Sequence, residues 1–161
     1  ALDETASRAA LDALSRHLHG MPPVAALQPR ILAWEAGRLR LGAPLAANVN
    51  DKGCAFGGSL ASLMTLAAWG LVALELEADG LAAEVFVADS RVRYLKPVFE
   101  DLVVEATFED PAARPALAGQ VCAQGRASVR LQAQALLADG AVAATFAGRY
   151  VAIAKTAAAA G

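Results

Sequence analysis

Polar side chains and glycines concentrate in residues 48–60, which read NVNDKGCAFGGSL and overlap the start of the longest uncharged stretch of the chain. Gly57 and Gly58 allow a ligand to approach the backbone closely. If a helix starts at these glycines, its first N–H groups lack an intrahelical partner and lie at the positive end of the helix dipole. Such donors can bind a phosphate or stabilise the oxyanion of an acyl-transfer intermediate.

One residue argues against a phosphate-binding site. Gly53 and Gly58 have the spacing of a phosphate-binding loop, but Ser59 stands where that motif requires lysine. We therefore expect an oxyanion site, with Gly58 as a backbone donor and with Phe56 and Gly57 beside the substrate. The alternative is that the two glycines serve only the close packing of a helix on a sheet.

Four hydroxyl or amide side chains near these glycines could contact a reacting carbonyl group. Asn50 could orient the carbonyl or a water molecule, or it could close an Asx turn. Ser59, Ser62 and Thr65 are three residues apart and would form a polar seam along a helix. Their hydroxyls could instead bond carbonyl oxygens one turn back in the same helix.

A second polar interruption falls in a predicted strand further along the chain. Asp89 and Ser90 break an otherwise apolar segment. Alternation places Ser90 on the same side as Phe86, Val92 and Tyr94, which is the predicted core side. We therefore expect Ser90 to point inward, where its hydroxyl needs a partner.

The stretch that includes these glycines, residues 53–74, contains no charged side chain and is flanked by Lys52 and Glu75. Its length alone would fit a membrane span. The glycines at its start, the hydroxyls within it and the alternating strands downstream favour a helix that is buried on all sides, from about Gly57 to Glu77. A sheet on one side and a partner subunit on the other would bury it, so we expect an oligomer.

The remaining hydrophobic pattern predicts an α+β fold. Residues 4–19 predict an amphipathic N-terminal helix, residues 30–41 a hairpin, and residues 83–95, 101–108, 125–137 and 142–152 four strands. Residues 110–119, which include Pro111 and Pro115, predict a surface loop. A long apolar helix followed by a twisted antiparallel sheet indicates the hotdog fold, in which the sheet wraps around the helix.

Composition sets the wider limits. The 161 residues are 57% hydrophobic, which predicts one domain over residues 1–155 and a frayed, alanine-rich tail at 156–161. The net charge of -2 gives no reason to expect nucleic acid or an anionic membrane as a partner. Cys54 and Cys122 form neither a disulfide framework nor a zinc motif, so we expect a reducing cytoplasm and no metal. His17 and His19 are expected at the surface.

Several short motifs resemble a known family. APL at residues 43–45, NVN at 48–50, GCAFGGSL at 53–60 and WG at 69–70 resemble the YiiD-type C-terminal thioesterase domain, a branch of the hotdog superfamily. YLKP at 94–97 is similar to a strand end of phenylacetyl-CoA-type hotdog thioesterases. The resemblance implies homodimers, with dimers of dimers as a larger assembly. It also implies acyl-CoA or acyl-carrier-protein thioesters as substrates, and no cofactor beyond the coenzyme A of the substrate.

The sequence departs from the phenylacetyl-CoA-type pattern at two of three motif positions. Where those enzymes carry Asn, His and Asp, this chain has Asn50, Phe56 and Thr65. The resemblance therefore leaves the carboxylate to Asp51 or Asp89, and its matching position makes Thr65 the seam residue most suited to a functional role. The predicted catalytic residues are Asn50, Gly58, Thr65 and Asp89, and the predicted substrate-binding residues are Phe56, Gly57, Ser59, Ser62 and Ser90.

These residues predict a thioesterase in which an acyl chain lies along the buried helix. The missing carboxylate leaves an alternative, a noncatalytic acyl-thioester binding or dimerisation module on the same fold. A hydratase would need a histidine with an acid, and no histidine follows His19. Cys54 is a further candidate nucleophile because it precedes a helix N-terminus. Arg91, Arg93 and Lys96 are candidates for contacting a coenzyme A phosphate.

Overall fold

The structure, a computed structural model, describes residues 4–35 and 37–155. The predicted frayed tail and Ala36 of the predicted hairpin turn lie outside the described residues. The elements in chain order are α1 (Glu4–His19), α2 (Pro22–Ala25), β1 (Arg30–Glu35), β2 (Arg38–Ala43), a 3-10 turn (Leu45–Ala47), α3 (Gly57–Ala78), β3 (Ala83–Tyr94), β4 (Leu102–Phe108), α4 (Ala113–Gln124), β5 (Arg126–Leu136) and β6 (Val142–Ala154).

The six strands form one antiparallel sheet in the order β1-β2-β4-β5-β6-β3. α3 contacts strands β2 to β6, so the sheet curves around this helix. Buried and exposed residues alternate strictly along β5. One side of this strand therefore faces α3, and the other side faces outward. The predicted α+β hotdog arrangement is therefore confirmed. β1 and β3 are the two edges of the sheet.

α3 is the centre of the core because it is apolar on every side. It runs from Gly57 to Ala78, one residue beyond the predicted end, and its most apolar window is 61% buried inside the fold. Its length and composition would also fit a membrane span, but such burial is typical of a core helix. Gly70 lets α1 and β2 approach closely, since a Cβ there would lie 3.0 Å from a Leu39 methyl and 3.3 Å from a Leu14 methyl.

The prediction of a surface loop at residues 110–119 is wrong, because α4 occupies Ala113–Gln124. Pro115 is the third residue of this helix, and proline is tolerated in a first turn, where N–H groups have no intrahelical acceptor. Leu117 and Val121 are buried one turn apart and attach α4 to the core. Gly125, with φ +75°, ends the helix in the left-handed conformation.

The predicted side of Phe86 is also wrong, because β3 contains an irregularity. Val87 pairs with Tyr150 and Asp89 pairs with Arg149, which leaves Ala88 as an extra residue and reverses the alternation beyond it. Phe86 pairs with Val151, which follows the inward-facing Tyr150, so Phe86 belongs to the outer side of the sheet. Ser90 pairs with Gly148 and keeps the predicted inward side, but its position on the edge strand leaves it exposed.

Candidate active site

The loop before α3 is organised by Asn50. Its side-chain oxygen accepts hydrogen bonds from the N–H groups of Lys52 at 2.8 Å and Cys54 at 3.2 Å, and its amide donates to the Cys54 sulfur at 3.3 Å. The expected Asx turn is therefore present, and Gly53 follows it with φ +81°. Within the described part of the chain, the second amide hydrogen of Asn50 has no acceptor. Asn50 can thus close the turn and still donate one hydrogen bond to a ligand.

Asn48 holds this loop against the rest of the fold, and sequence reasoning did not single it out. It is 3% exposed, and its side-chain amide donates to the carbonyl oxygens of Leu27 at 2.9 Å and Pro44 at 2.8 Å. The backbone carbonyl of Asn48 accepts a hydrogen bond from the N–H of Phe56 at 2.7 Å. Asn48 therefore fixes the residue that caps α3. No periodic pattern identifies such a residue, because its role depends on contacts with distant backbone.

The first turn of α3 presents the expected unpaired donors. The N–H groups of Ser59 and Leu60 bond the Phe56 carbonyl at 3.0 and 3.2 Å, whereas those of Gly57 and Gly58 have no acceptor among the residues described. The half-exposed Phe56 ring lies beside Gly58, where an added Cβ would come within 2.5 Å of a ring carbon. Phe56 therefore supplies an apolar wall next to the donors.

Tyr94 closes the other side of this turn. Its hydroxyl donates to the Gly57 carbonyl at 2.9 Å, and an added Cβ at Gly57 would lie 3.4 Å from the ring. A cavity of about 270 Å³ lies beside it. Its lining comprises Ala55, Gly57, Leu60 and residues 94–98, which include the predicted phosphate contact Lys96.

The three seam residues of α3 have different environments. The Thr65 hydroxyl donates to the Ala61 carbonyl at 2.7 Å. This is the hydrogen bond to a carbonyl one turn back that we considered for all three seam residues. Ser59 is 6% exposed and Ser62 is exposed, and neither hydroxyl has a protein partner in residues 4–35 and 37–155. The oxygen lone pairs of Thr65 remain free to accept from a ligand.

The buried hydroxyl of Tyr150 fixes the backbone at Thr65. It donates to the Thr65 carbonyl at 2.6 Å. Burial raises the pKa of Tyr150 above its ordinary value of 10.0, because the phenolate would lose its hydration. This bond therefore joins a neutral donor to the middle of α3.

Asp89 lies on the other side of the sheet. It pairs with Arg149 at 3.0 Å, and both face away from α3 because the adjacent Tyr150 points toward it. The structure thus separates Asp89 from Gly58 and Thr65 of its own chain. Arg91 and Arg93 share this outer side.

An open groove runs along α3 beside the edge strand β3. It consists of two adjoining cavities of about 540 and 520 Å³, which we call the Thr65 cavity and the Leu74 cavity. His17, Trp69, Ala73, Ala83 and Lys155 line both. The Thr65 cavity is further lined by Met21, Thr65, Leu66, residues 84–87 and Tyr150, and the Leu74 cavity by Ala13, Leu14, Leu74, Leu76, Glu77 and residues 80–82.

His17 and Trp69 stand where the two cavities meet. Their rings stack with centroids 5.1 Å apart, and the Trp69 ring nitrogen donates to the Val85 carbonyl at 2.9 Å. His17 is exposed, as predicted, but it also lines the groove, which the periodicity of α1 does not reveal. Across the described ranges, no three His, Cys, Asp or Glu side chains are arranged to hold a metal ion. Cys54 is buried, and its sulfur accepts a hydrogen bond from Asn50.

Comparisons with known proteins bear on the family and the fold. A family model described as "Putative thioesterase (yiiD_Cterm)" matches residues 11–154. A "putative thioesterase" structure from Shewanella oneidensis is 30% identical, with a TM-score of 0.81 over 91% of this chain and 99% of that one. A "probable thioesterase" of unknown function from Pseudomonas aeruginosa is 26% identical, with a TM-score of 0.75 over 89% and 96%. A protein of unknown function from Chlorobaculum tepidum is 25% identical, with a TM-score of 0.81 over 93% and 95%.

Proposed function

The chain belongs to the "Putative thioesterase (yiiD_Cterm)" family of hotdog proteins, and from this premise we propose that it hydrolyses acyl thioesters at the N-terminal half of α3. The substrate is an acyl-CoA or an acyl-carrier-protein thioester. Coenzyme A takes part only as a portion of the substrate, and the reaction needs no other cofactor. The products are a carboxylic acid and a free thiol.

The observation that carries this proposal is the pair of unpaired N–H groups at Gly57 and Gly58. Among the residues described, neither donor has an acceptor, and both lie at the positive end of α3. A thioester carbonyl placed against Gly58 would gain negative charge on its oxygen as water attacks. Donors that are already oriented stabilise this charge without reorganisation.

Asn50 and Thr65 are suited to orient the reacting groups. Asn50 offers one amide hydrogen that the loop does not use, and Thr65 offers oxygen lone pairs, since its own hydrogen bonds Ala61. We assign Asn50 to the thioester and Thr65 to the attacking water. We also assign Phe56, Gly57, Ser59, Ser62 and Ser90 to substrate binding; of the three serines, Ser62 and Ser90 are exposed and Ser59 is buried.

The groove is suited to an acyl chain. The Thr65 cavity begins at a residue assigned to the reaction and continues along α3 between mainly apolar walls. Its volume of about 540 Å³ falls in the range typical of small-molecule sites. An acyl chain in this position would extend from Gly58 toward Trp69.

The functional unit is a homodimer, with a dimer of dimers as the larger assembly. β3 is a twelve-residue edge strand that, within the part of the chain that the structure describes, has no neighbour on one side. It also exposes large apolar side chains, including Phe86 at 50% and Val87 at 45%. Because an open edge of this length is a template for pairing, a second copy of β3 is the expected neighbour. Such a copy would cover the groove that is open in the single chain.

The first test is thiol release from a panel of acyl-CoA and acyl-carrier-protein thioesters of increasing chain length. We expect turnover by the purified chain, and a decrease of at least about 100-fold in kcat for both Asn50→Ala and Thr65→Ala. Thr145→Ala, on the outer side of the sheet, serves as the matched control and keeps its activity. Absence of thiol release across the panel would refute the proposal.

The second candidate is a noncatalytic acyl-thioester binding module. It is favoured by one specific observation: the position that holds aspartate in related enzymes is Thr65, and Asp89 faces away from it. Calorimetric binding of acyl-CoA without turnover would support this alternative. In either case we place the protein in the cytoplasm, where free thiols such as Cys54 and Cys122 persist.

A further inference from the structure

We propose that Tyr94 is a positioning residue that orients and strengthens the Gly58 N–H donor through the peptide group between Gly57 and Gly58. This inference rests on the proposed function, in which that N–H stabilises the oxyanion. Tyr94 does not touch the substrate carbonyl in this scheme. It acts on the opposite end of the same peptide group.

The connection follows from the planarity of the peptide bond. The Tyr94 hydroxyl donates to the Gly57 carbonyl oxygen at 2.9 Å. This carbonyl and the Gly58 N–H belong to one planar unit, so fixing the oxygen also fixes the direction of the hydrogen. A hydrogen bond to the oxygen further polarises the amide and makes its N–H a stronger donor. The two groups point in opposite directions, so Tyr94 leaves the hydrogen accessible.

Packing alone does not account for this hydrogen bond. Tyr94 is 55% exposed, so water could satisfy its hydroxyl. Tyr150 gives the contrast, since it is fully buried and needs a protein acceptor. The absence of a side chain at Gly57 brings the Tyr94 ring against the backbone, because an added Cβ would lie 3.4 Å from two ring carbons. The pair Gly57 and Tyr94 therefore directs an accessible phenol onto one carbonyl.

The end of β3 holds the ring in this position. The N–H groups of Leu95 and Lys96 both bond the Ala143 carbonyl, at 2.8 and 3.0 Å. The start of α3 has separate supports in the bond from Phe56 to Asn48 and the bond from Ala55 to Val98, at 2.7 and 2.8 Å. Because these bonds do not involve the phenol, removing the Tyr94 hydroxyl leaves both elements anchored.

The test is Tyr94→Phe in the full chain, assayed by kinetics and by the NMR resonance of the Gly58 amide. We expect kcat to fall by up to about tenfold with KM changed less than twofold, since the lost interaction acts in the transition state. We also expect the Gly58 amide proton to move upfield, the direction of a weaker polarisation. Phe99→Leu, which alters an exposed aromatic residue close by in sequence, is the control and should change neither readout.

A second variant covers the case in which Tyr94→Phe fails to fold. Difluorotyrosine substituted for Tyr94 keeps the ring but carries a more acidic hydroxyl. Because this hydroxyl is a stronger hydrogen-bond donor, the substitution should move the Gly58 amide resonance downfield. A Gly58 resonance that stays in place in either variant overturns the inference, whether or not the chain turns over thioesters. Wild-type thiol release with an unchanged Tyr94→Phe rate overturns the inference while leaving the proposed function intact.

Discussion

Tyr150 makes the free energy of unfolding depend on pH in the alkaline range. Its pKa in the folded chain is raised by burial above the ordinary 10.0, so the folded state holds the proton more tightly than the unfolded state. The stabilisation is therefore complete below pH 10 and is lost as the pH rises above it. We expect the free energy of unfolding, measured with urea, to decrease above about pH 10. Tyr150→Phe should weaken this decrease, and an equally steep decrease in the variant would contradict the assignment.

A substitution at Gly58 tests whether this glycine has a functional role or only a structural one. Gly58→Ala would place a Cβ within 2.5 Å of the Phe56 ring, so the ring, which lies beside the Gly58 donor, must shift. We expect thiol release to fall at least tenfold, which is less than the roughly 100- to 1000-fold cost of removing an oxyanion donor because the Gly58 N–H is misaligned and not lost. Gly119→Ala in α4 is the matched control, because its Cβ would meet nothing within 4 Å. It should raise the free energy of unfolding by about 0.5–1 kcal/mol and leave activity unchanged.

At the scale of single elements, the groove predicts a limit on acyl chain length. Ala73 on α3 lines both cavities of the groove. Ala73→Leu would fill the junction, so long chains that cross from the Thr65 cavity into the Leu74 cavity should lose turnover, while short chains keep theirs. The ratio of kcat/KM for long and short acyl-CoA substrates measures this. Ala123→Leu on the exposed side of α4 is the control, and an equal loss for all lengths would exclude the groove as the acyl site.

The elements show which features the sequence could predict. The bounds of α1 match the prediction from Glu4 to His19, because a simple apolar stripe and the following Gly20 define them. α3 was predicted from a different signal, the absence of charged side chains over residues 53–74. α4 was missed because Pro115 suggested a loop, although proline in a first turn costs no helical hydrogen bond. Local chemistry thus predicts elements whose signals agree and fails where a helix begins with a residue typical of loops.

The candidate site could be predicted in part. The position of Gly57 and Gly58 at the start of a helix followed from the sequence, because glycines preceded an apolar run. The hydrogen bonds from Tyr94 to Gly57 and from Asn48 to Leu27 join residues far apart in the chain, so no spacing rule indicates them. The extra residue at Ala88 was also hidden, since it depends on pairing with β6.

At the scale of the molecule, the edge strand β3 predicts a dimer that charge can disrupt. Val87 is 45% exposed on β3, and Leu32 is 44% exposed on β1 at the opposite edge. Val87→Lys would bury a charge at the proposed interface, so we expect a shift toward monomer in light scattering coupled to gel filtration. Leu32→Lys is the matched control and should leave the assembly unchanged. A Val87→Lys variant that stays dimeric would place the interface elsewhere.

The position of β6 between β5 and β3 has a consequence for biosynthesis. Among the strands of residues 4–35 and 37–155, β3 pairs only with β6, so it has no strand partner while the ribosome adds the residues from β4 to β6. During this interval the apolar α3 also lacks part of its cover. Pairing between segments so distant in sequence is slow, and the exposed nascent chain is prone to aggregation. Soluble yield in cells should therefore respond to translation speed and to chaperones that hold unfinished chains.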